Sequence, residues 1–102
     1  MPGVARVGDL EIGACPIGPS SSAGPLSIAS GAETVFVNRK PIARTGDPYE
    51  GVHVHIPGGV HQVFCGQGSE TVSAERSPVF RIGDPTVCLS VQVGGSGDVF
   101  AG

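Results

Sequence analysis

Residues 31–48 read GAETVFVNRKPIARTGDP, and residues 68–85 read GSETVSAERSPVFRIGDP. The two stretches align without a gap at an offset of 37, and ten of their 18 positions are identical. Self-similarity at a fixed offset is typical of a structural unit that recurs within one fold. The chain is therefore expected to be built from copies of one small unit.

Both ends of the chain carry further pieces of this unit. Residues 4–9 (VARVGD) match its second half at 42–47, and residues 95–100 (GSGDVF) match its first half at 31–36. Three copies are present, one of them divided between the termini, which predicts a circular arrangement with pseudo-threefold symmetry in which the last strand closes against the first. The units of this single 102-residue domain cover about 31–67, 68–94, and 95–102 joined with 1–30.

Composition predicts an all-β domain without helices of note. Gly and Pro make up 26 of the 102 residues, and the longest stretches free of both, 32–40 and 69–77, have nine residues each. A packed helix usually needs about 10–12 residues, and Gly and Pro are the poorest helix formers. The 27 Val, Ile, Leu and Phe residues still supply a core, with β-branched Val as its commonest member.

Charge and hydrophobicity exclude two classes of partner. The net charge is −3, and six Lys and Arg are spread along the chain, without the basic stripe of a nucleic-acid-binding protein. No segment approaches the roughly 20 apolar residues of a membrane span. The first ten residues lack a basic region followed by an apolar run, so we expect no signal peptide and synthesis in the cytoplasm.

Each unit has the pattern of a β-hairpin. Residues 34–37 (TVFV) form a predicted strand, residues 38–40 a turn, and Pro41, like its counterpart Pro78, opens the next strand, where a missing N–H is tolerated. A Gly-Asp corner follows. An Arg three residues before the Asp is expected to fix each corner by a charge-assisted hydrogen bond. The three pairs are Arg6 with Asp9, Arg44 with Asp47 and Arg81 with Asp84.

Every Cys and His lies outside the hairpins, in the three segments 10–30, 49–67 and 86–94. If the hairpins form the frame, these variable segments gather at one end. Three cysteines are an odd number for a disulfide framework, and Cys with His in a small, loop-rich domain indicates a metal site. Cys65, beside the turn 66–68, is predicted to be a buried, small apolar residue.

The repeated unit resembles that of the proline-alanine-alanine-arginine (PAAR) repeat family. The name-giving tetrad appears as PIAR at 41–44, as PVFR at 78–81 and degenerately as GVAR at 3–6, and the resemblance spans essentially the whole chain. It implies a small pyramidal, conical β-domain that caps the blunt end of a trimeric spike and sharpens the tip that pierces a target membrane. A monomer caps a threefold axis only if it presents a similar surface three times.

The resemblance also implies the partners and the location of such a tip. The spike is of the VgrG type in bacterial type VI secretion or belongs to a phage tail, with one tip per trimer, and the tip alone is monomeric. Contact with the target membrane is transient, effectors are a further class of partner that the resemblance allows, and the chain has no room for a toxin extension. The protein would be delivered outward at the end of a secretion apparatus or a virion tail.

A structural zinc near the apex, held by His and Cys, is likewise implied by the resemblance. Zinc takes four ligands in a closed structural site. Cys15 and Cys88 stand a few residues after Gly-Asp, where the family commonly has a ligand, and His55 and His61 complete the expected set. His53 is the rival of His55, because residues i and i+2 of an extended segment lie on one face.

Two other functions remain open. His53-Val54-His55 is an HxH motif, which in some phage spikes, repeated in a true trimer, places six imidazoles around one iron; the internal repeat argues against that design. Cys65 and His61 have the chemistry of a nucleophile and its base, but no third residue is indicated to orient the imidazole and the chain has little room for a substrate pocket, so an enzyme is not expected.

Docking on the spike is expected through exposed apolar edges of the hairpins. The candidate residues are Val35, Val37, Val99 and Phe100.

Overall fold

The computed structural model describes residues 1–12, 20–22, 25–55, 59–87 and 90–102, with the backbone alone for 20–22, 53–55 and 59–61. These residues form antiparallel strand pairs and no helix, which confirms the all-β prediction. Within the same residues, no helix is long and apolar enough to cross a membrane. The strands are β1 (Glu11–Ile12), β2 (Ser20–Ser22), β3 (Phe36–Val37), β4 (Lys40–Pro41), β5 (Pro48–His55), β6 (Gly59–Phe64), β7 (Ser73–Ala74), β8 (Ser77–Pro78) and β9 (Val91–Gln92).

The pairs β3–β4 and β7–β8 are the two hairpins that the repeat predicts. Their turns have two residues with positive φ, 54° at Asn38 and 69° at Arg39, and 51° and 71° at the equivalent positions 75–76. This is the type I′ turn, whose twist matches that of the flanking strands. Lys40 therefore lies in β4 rather than in the turn, and β3 covers only the end of the predicted strand 34–37.

Backbone hydrogen bonds join the three units in a closed cycle. The N–H of Ala43 donates to the carbonyl of Ala5 (2.9 Å), that of Phe80 to Ala43 (3.0 Å), and that of Ala5 to Phe80 (2.8 Å). These three residues occupy the same position of the repeat. A second cycle has the same form, with Val7 donating to Pro41, Thr45 to Pro78 and Ile82 to Gly3. Each unit thus bonds to both of the others in the same way.

The two ends of the chain form the third hairpin. Gly3 is bridged to Phe100, and the N–H of Ala101 donates to the carbonyl of Pro2 at 3.0 Å. This confirms the prediction that the last strand closes against the first. Gly102 thus falls at the repeat position that the turn residues Asn38 and Glu75 occupy in the other units.

Two buried apolar clusters fill the interior. The first consists of Ala5, Ile28, Ala43, Tyr49, Val63, Cys65 and Phe80. The second consists of Val4, Ala32, Val37, Ile42, Ala74, Val79 and Ala101. Repeat-equivalent positions fall in the same cluster, and at the position shared by Ala5, Ala43 and Phe80 one large ring accompanies two alanines. All three are 0% exposed.

The longest strands, β5 and β6, lie in the segment 49–67 except for Pro48, the first residue of β5, and so outside the hairpins that were expected to supply the frame. The physical reason is that residues 52–55 alternate Val and His, the period of a strand. This hairpin also ties the variable segments together. Strand β2 of the first segment pairs with β5, β1 pairs with β9 of the third, and the N–H of Val87 donates to the carbonyl of Phe64 at the end of β6.

Candidate metal centre and docking residues

Each Gly-Asp corner is closed by the Arg that precedes it, as predicted. The distance from Arg Nε to Asp Oδ2 is 2.8 Å for Arg6 and Asp9, 3.2 Å for Arg44 and Asp47, and 2.8 Å for Arg81 and Asp84. The backbone N–H of each Arg donates to the same oxygen at 2.7–2.9 Å. The hydrogen bond to Asp raises the pKa of each arginine, so these pairs stay charged and hold the corners.

The two prolines of the tetrads lie in the second strands of their hairpins, but they do not open them as predicted: each is the second residue of its strand, after Lys40 in β4 and after Ser77 in β8. Pro41 pairs with Phe36 and Pro78 pairs with Ser73. Proline has no backbone N–H to donate, and a strand at the edge of a two-stranded pair tolerates this.

All three histidines lie on the β5–β6 hairpin. The strand register pairs His53 directly with His61, and His55 with Gly59 next to the connecting residues. Because directly opposite residues of an antiparallel pair share one face of the sheet, and residues two apart on a strand share it too, the backbone places the three histidine positions on one face. Ser20 pairs with His55 at the neighbouring strand β2.

Cys15 and Cys88, the two predicted cysteine ligands, lie outside the described residues. The described residues that flank them are close to the histidine hairpin. The segment with Cys15 runs directly into β2, which pairs with β5, and Val87, which precedes Cys88, is bonded to Phe64 at the end of β6. The structure therefore brings the backbones that lead to all the predicted ligands to one hairpin.

A buried polar network, which was not predicted from the sequence, lies beside the two segments that contain Cys15 and Cys88. Glu11 and Gln92, paired across β1 and β9, are both 0% exposed. The hydroxyl of Ser90 donates to Glu11 Oε1 at 3.3 Å and lies 2.6 Å from that of Thr86. The Tyr49 hydroxyl donates to Gln92 Oε1 at 2.5 Å. These bonds fix the strand ends from which residues 13–19 and 88–89 leave.

Cys65 is buried in the first apolar cluster, which confirms its predicted role in packing. Burial, with a smaller contribution from the charge of Asp47, raises the pKa of its thiol to about 12. The thiolate is the nucleophilic form of cysteine, so a thiol that stays protonated at neutral pH is a poor nucleophile. A nucleophilic Cys65 with His61 as its base would need a lowered thiol pKa, whereas burial raises it.

Exposed apolar side chains recur at two positions of the repeat. They are Val72 (38% exposed) and Val99 (38%) at one position, and Phe36 (57%) and Phe100 (50%) at the other. Of the predicted docking residues, Val99 and Phe100 are exposed and Val35 is half-buried against the second cluster. The prediction for Val37 is wrong, because it is 8% exposed: strand alternation turns Phe36 to solvent and Val37 to the interior.

Among the described side chains, which include no histidine and neither Cys15 nor Cys88, no group of three or more metal-ligating residues occurs. No protein-family model matches this chain, and no curated protein matches it significantly.

Proposed function

We propose that this protein is a PAAR-type spike tip, a membrane-piercing cap on a trimeric VgrG-like or phage tail spike of a contractile injection machine. The observation that carries the proposal is the closed cycle of backbone hydrogen bonds among Ala5, Ala43 and Phe80. A cycle in which each unit makes the same bond to the next supports an arrangement of the units about a pseudo-threefold axis. A spike trimer has a true threefold axis, and a single chain matches it only with three similar surfaces.

The exposed apolar positions of the repeat supply the surface for docking. Val72 and Val99 are equivalent, as are Phe36 and Phe100, so apolar contact is offered by all three units rather than by one. Apolar groups that each unit offers suit a partner that presents three similar chains. Burial of such side chains contributes about 25 cal/mol per Å² of apolar surface removed from water, and each of the three spike chains would meet similar groups.

The residues of the histidine hairpin fit a structural zinc. His53 and His61 are direct cross-strand partners, a position at which Cβ atoms lie roughly 4.5–5.5 Å apart, and His55 follows on the same face. The register therefore supports His53, the rival ligand, as the closer partner of His61. Imidazole and thiolate are the donors that zinc prefers in structural sites. Cys15 and Cys88 would complete the set, and zinc would tie the variable segments together and stiffen the tip.

Docking is tested by mixing the purified chain with the trimeric spike protein of its own machine and measuring mass by light scattering. We expect one chain per trimer. The double variant Phe36→Ser/Phe100→Ser, which copies the serine found at the equivalent position 73, is expected to weaken binding at least tenfold. Ile12→Ser, at a similarly exposed position (55%) on β1, is the matched control and leaves binding unchanged. Three chains per trimer, or equal losses in both variants, would contradict the proposal.

The metal is tested by elemental mass spectrometry on tag-free protein together with its mass in solution. We expect one zinc per monomer. His61→Ala and Cys88→Ala should lose the zinc and melt at lower temperature, while the exposed-site control Glu50→Ala keeps both properties. Separate replacement of His53 and His55 identifies which one ligates. One iron per three chains would favour the trimeric HxH tip, and a folded protein without metal would remove the zinc site.

A further inference from the structure

The solvent-facing side of β1 and β9 is apolar, although the opposite side of these strands carries two residues of the buried polar network. Successive residues of a strand point to opposite faces of the sheet, so the neighbours of those polar residues are turned outward. Ile12 and Val91 lie directly opposite each other. The N–H of Val93 donates to the carbonyl of Leu10 at 3.0 Å, which places a second pair beside the first. The side chains of these four residues are 40–55% exposed. They form one contiguous patch, the outer apolar face, which consists of Leu10, Ile12, Val91 and Val93.

The repeat supplies two further faces at equivalent positions, and neither matches this one. At the first, the pair equivalent to Ile12 and Val91 is polar. It consists of Glu50 and Ser27, and the Ser27 hydroxyl donates to Glu50 Oε2 at 3.3 Å. At the second, residues 64, 66 and 85 are half-buried and Val87 is exposed. The outer apolar face therefore departs from the repeat, and it suits a partner that binds once per chain rather than three identical chains.

A partner has to contact this face through side chains, because both strands are bonded along both edges. β1 pairs with β9 on one side, and on the other the N–H of Glu11 donates to the carbonyl of Leu26 at 3.0 Å. β9 is bridged to Pro85 on its outer side. Four aliphatic side chains, each about half exposed, offer at most about 400 Å², because even an aromatic side chain buries only about 150–250 Å². A stable dimer buries roughly 800 Å² per partner. Two copies of the chain packed through this face fall well short of that area, whereas a short segment with a few anchors fits it.

The charges around the outer apolar face define the chemistry of that segment. The three variable segments contain no Lys or Arg, and their acidic residues are the buried Glu11 and the exposed Glu50. Ser27 is bridged to Leu10 and its hydroxyl donates to Glu50, so a carboxylate lies at the border of the face. An opposite charge at the rim of an interface guides the partner and fixes its register. Anionic lipid surfaces attract Lys and Arg, so these segments favour a basic partner over a membrane.

We propose that the outer apolar face binds a short amphipathic segment of a partner protein, with apolar anchors against its four side chains and a flanking Lys or Arg beside Glu50. A few anchors carry most of the energy of such a contact, and the flanking charge orients the segment. One segment binds per chain, because the equivalent faces are polar or half-buried. The inference rests on the pairing of β1 with β9 and is independent of the spike-tip proposal.

The surface is tested by NMR of the methyl signals of the full chain during titration with a short amphipathic peptide of leucine and lysine. We expect saturable shifts at the outer apolar face in the millimolar range or below, and shifts at least five times smaller at Val72 and Val99, which are each 38% exposed. A leucine–glutamate peptide of the same pattern should shift the face at least five times less at the same concentration. Equal shifts at Val72 and Val99, or none at the face, would overturn the proposal. An equal response to phosphatidylcholine vesicles would assign the face to lipid and would overturn it as well.

Two double variants separate this surface from the one proposed for the spike. Ile12→Gln/Val91→Ser copies the polar pair of the equivalent face without its charge, and it should weaken binding of the leucine–lysine peptide at least tenfold while it keeps binding to the spike. Phe36→Ser/Phe100→Ser should show the opposite behaviour. Unchanged methyl signals of the buried Val79 verify the fold in both. Full peptide binding by Ile12→Gln/Val91→Ser would mean that the peptide binds elsewhere, and the proposal would fail.

A single substitution tests the charge at the border. Glu50→Gln removes the carboxylate and should weaken binding of the leucine–lysine peptide at least twofold. Glu33→Gln removes a carboxylate from another exposed position, in the hairpin part of the chain, and should bind like the wild type. Equal weakening by both variants would show general attraction of the basic peptide and would contradict the proposal.

Discussion

Replacing Phe80 by Ala tests whether the three units share one packed centre. The ring is 0% exposed and lies in the first apolar cluster with Ala5 and Ala43. Removal of a buried phenylalanine ring costs about 3–5 kcal/mol when the cavity cannot collapse. Ala5 and Ala43 are held by the backbone cycle, so they have little freedom to move into the cavity that the ring leaves. A loss of that size is a large part of the roughly 5–15 kcal/mol that stabilises a domain, and at about 4–8 °C per kcal/mol the melting temperature should fall by at least about 12 °C.

The sharper form of this test moves the ring to an equivalent unit. Ala43→Phe alone should overpack the centre and cost about 1–3 kcal/mol. In the double variant Ala43→Phe/Phe80→Ala, the new ring occupies the space that the old one left, so we expect the loss to be smaller than that of Phe80→Ala alone. Urea denaturation of the four proteins gives the coupling free energy. A double variant whose loss equals the sum of the two single losses would refute a centre shared by the units.

Three further predictions concern the backbone and the titratable groups. Gly68→Ala should destabilise more than Gly46→Ala, because a Cβ at 68 would lie 2.4 Å from the carbonyl oxygen of Val79, while at 46 the cost is only that of φ +93°, about 1–2 kcal/mol; equal losses in urea would contradict this. Burial raises the pKa of Cys65 to about 12, so its contribution to stability is complete below the unfolded pKa of about 8.5 and is lost as pH rises toward 12. Mass spectrometry should find this thiol unmodified by iodoacetamide at pH 8 in the folded protein, and rapid modification would argue against the burial. A hydroxyl hydrogen bond lowers the pKa of Glu75, so the stability that it contributes is present above about pH 4.3 and is lost as pH falls. Glu75→Gln should therefore reduce the fall in the free energy of unfolding below about pH 4.3. An equal fall in the variant and in the wild type would exclude the contribution.

The internal repeat could be found from the sequence, and with it the general form of the fold. The closure of the termini, the corners of Arg and Asp, and the burial of Cys65 were all predictable, because each depends on local residue pattern or on equivalence between copies. The boundary of the turn at 38–39 was not, because the choice of a two-residue turn depends on strand twist. The burial of Val37 was also missed, since a shift of one residue in a strand reverses the face.

The sequence by itself determined an all-β chain made of three similar units, since Gly and Pro at short intervals prevent helices and identical residues impose similar hairpins. Only the tertiary structure decided which distant positions meet. Glu11 and Gln92 are buried while their strand neighbours Ile12 and Val91 are exposed, an inversion of the usual pattern that depends on the pairing of β1 with β9.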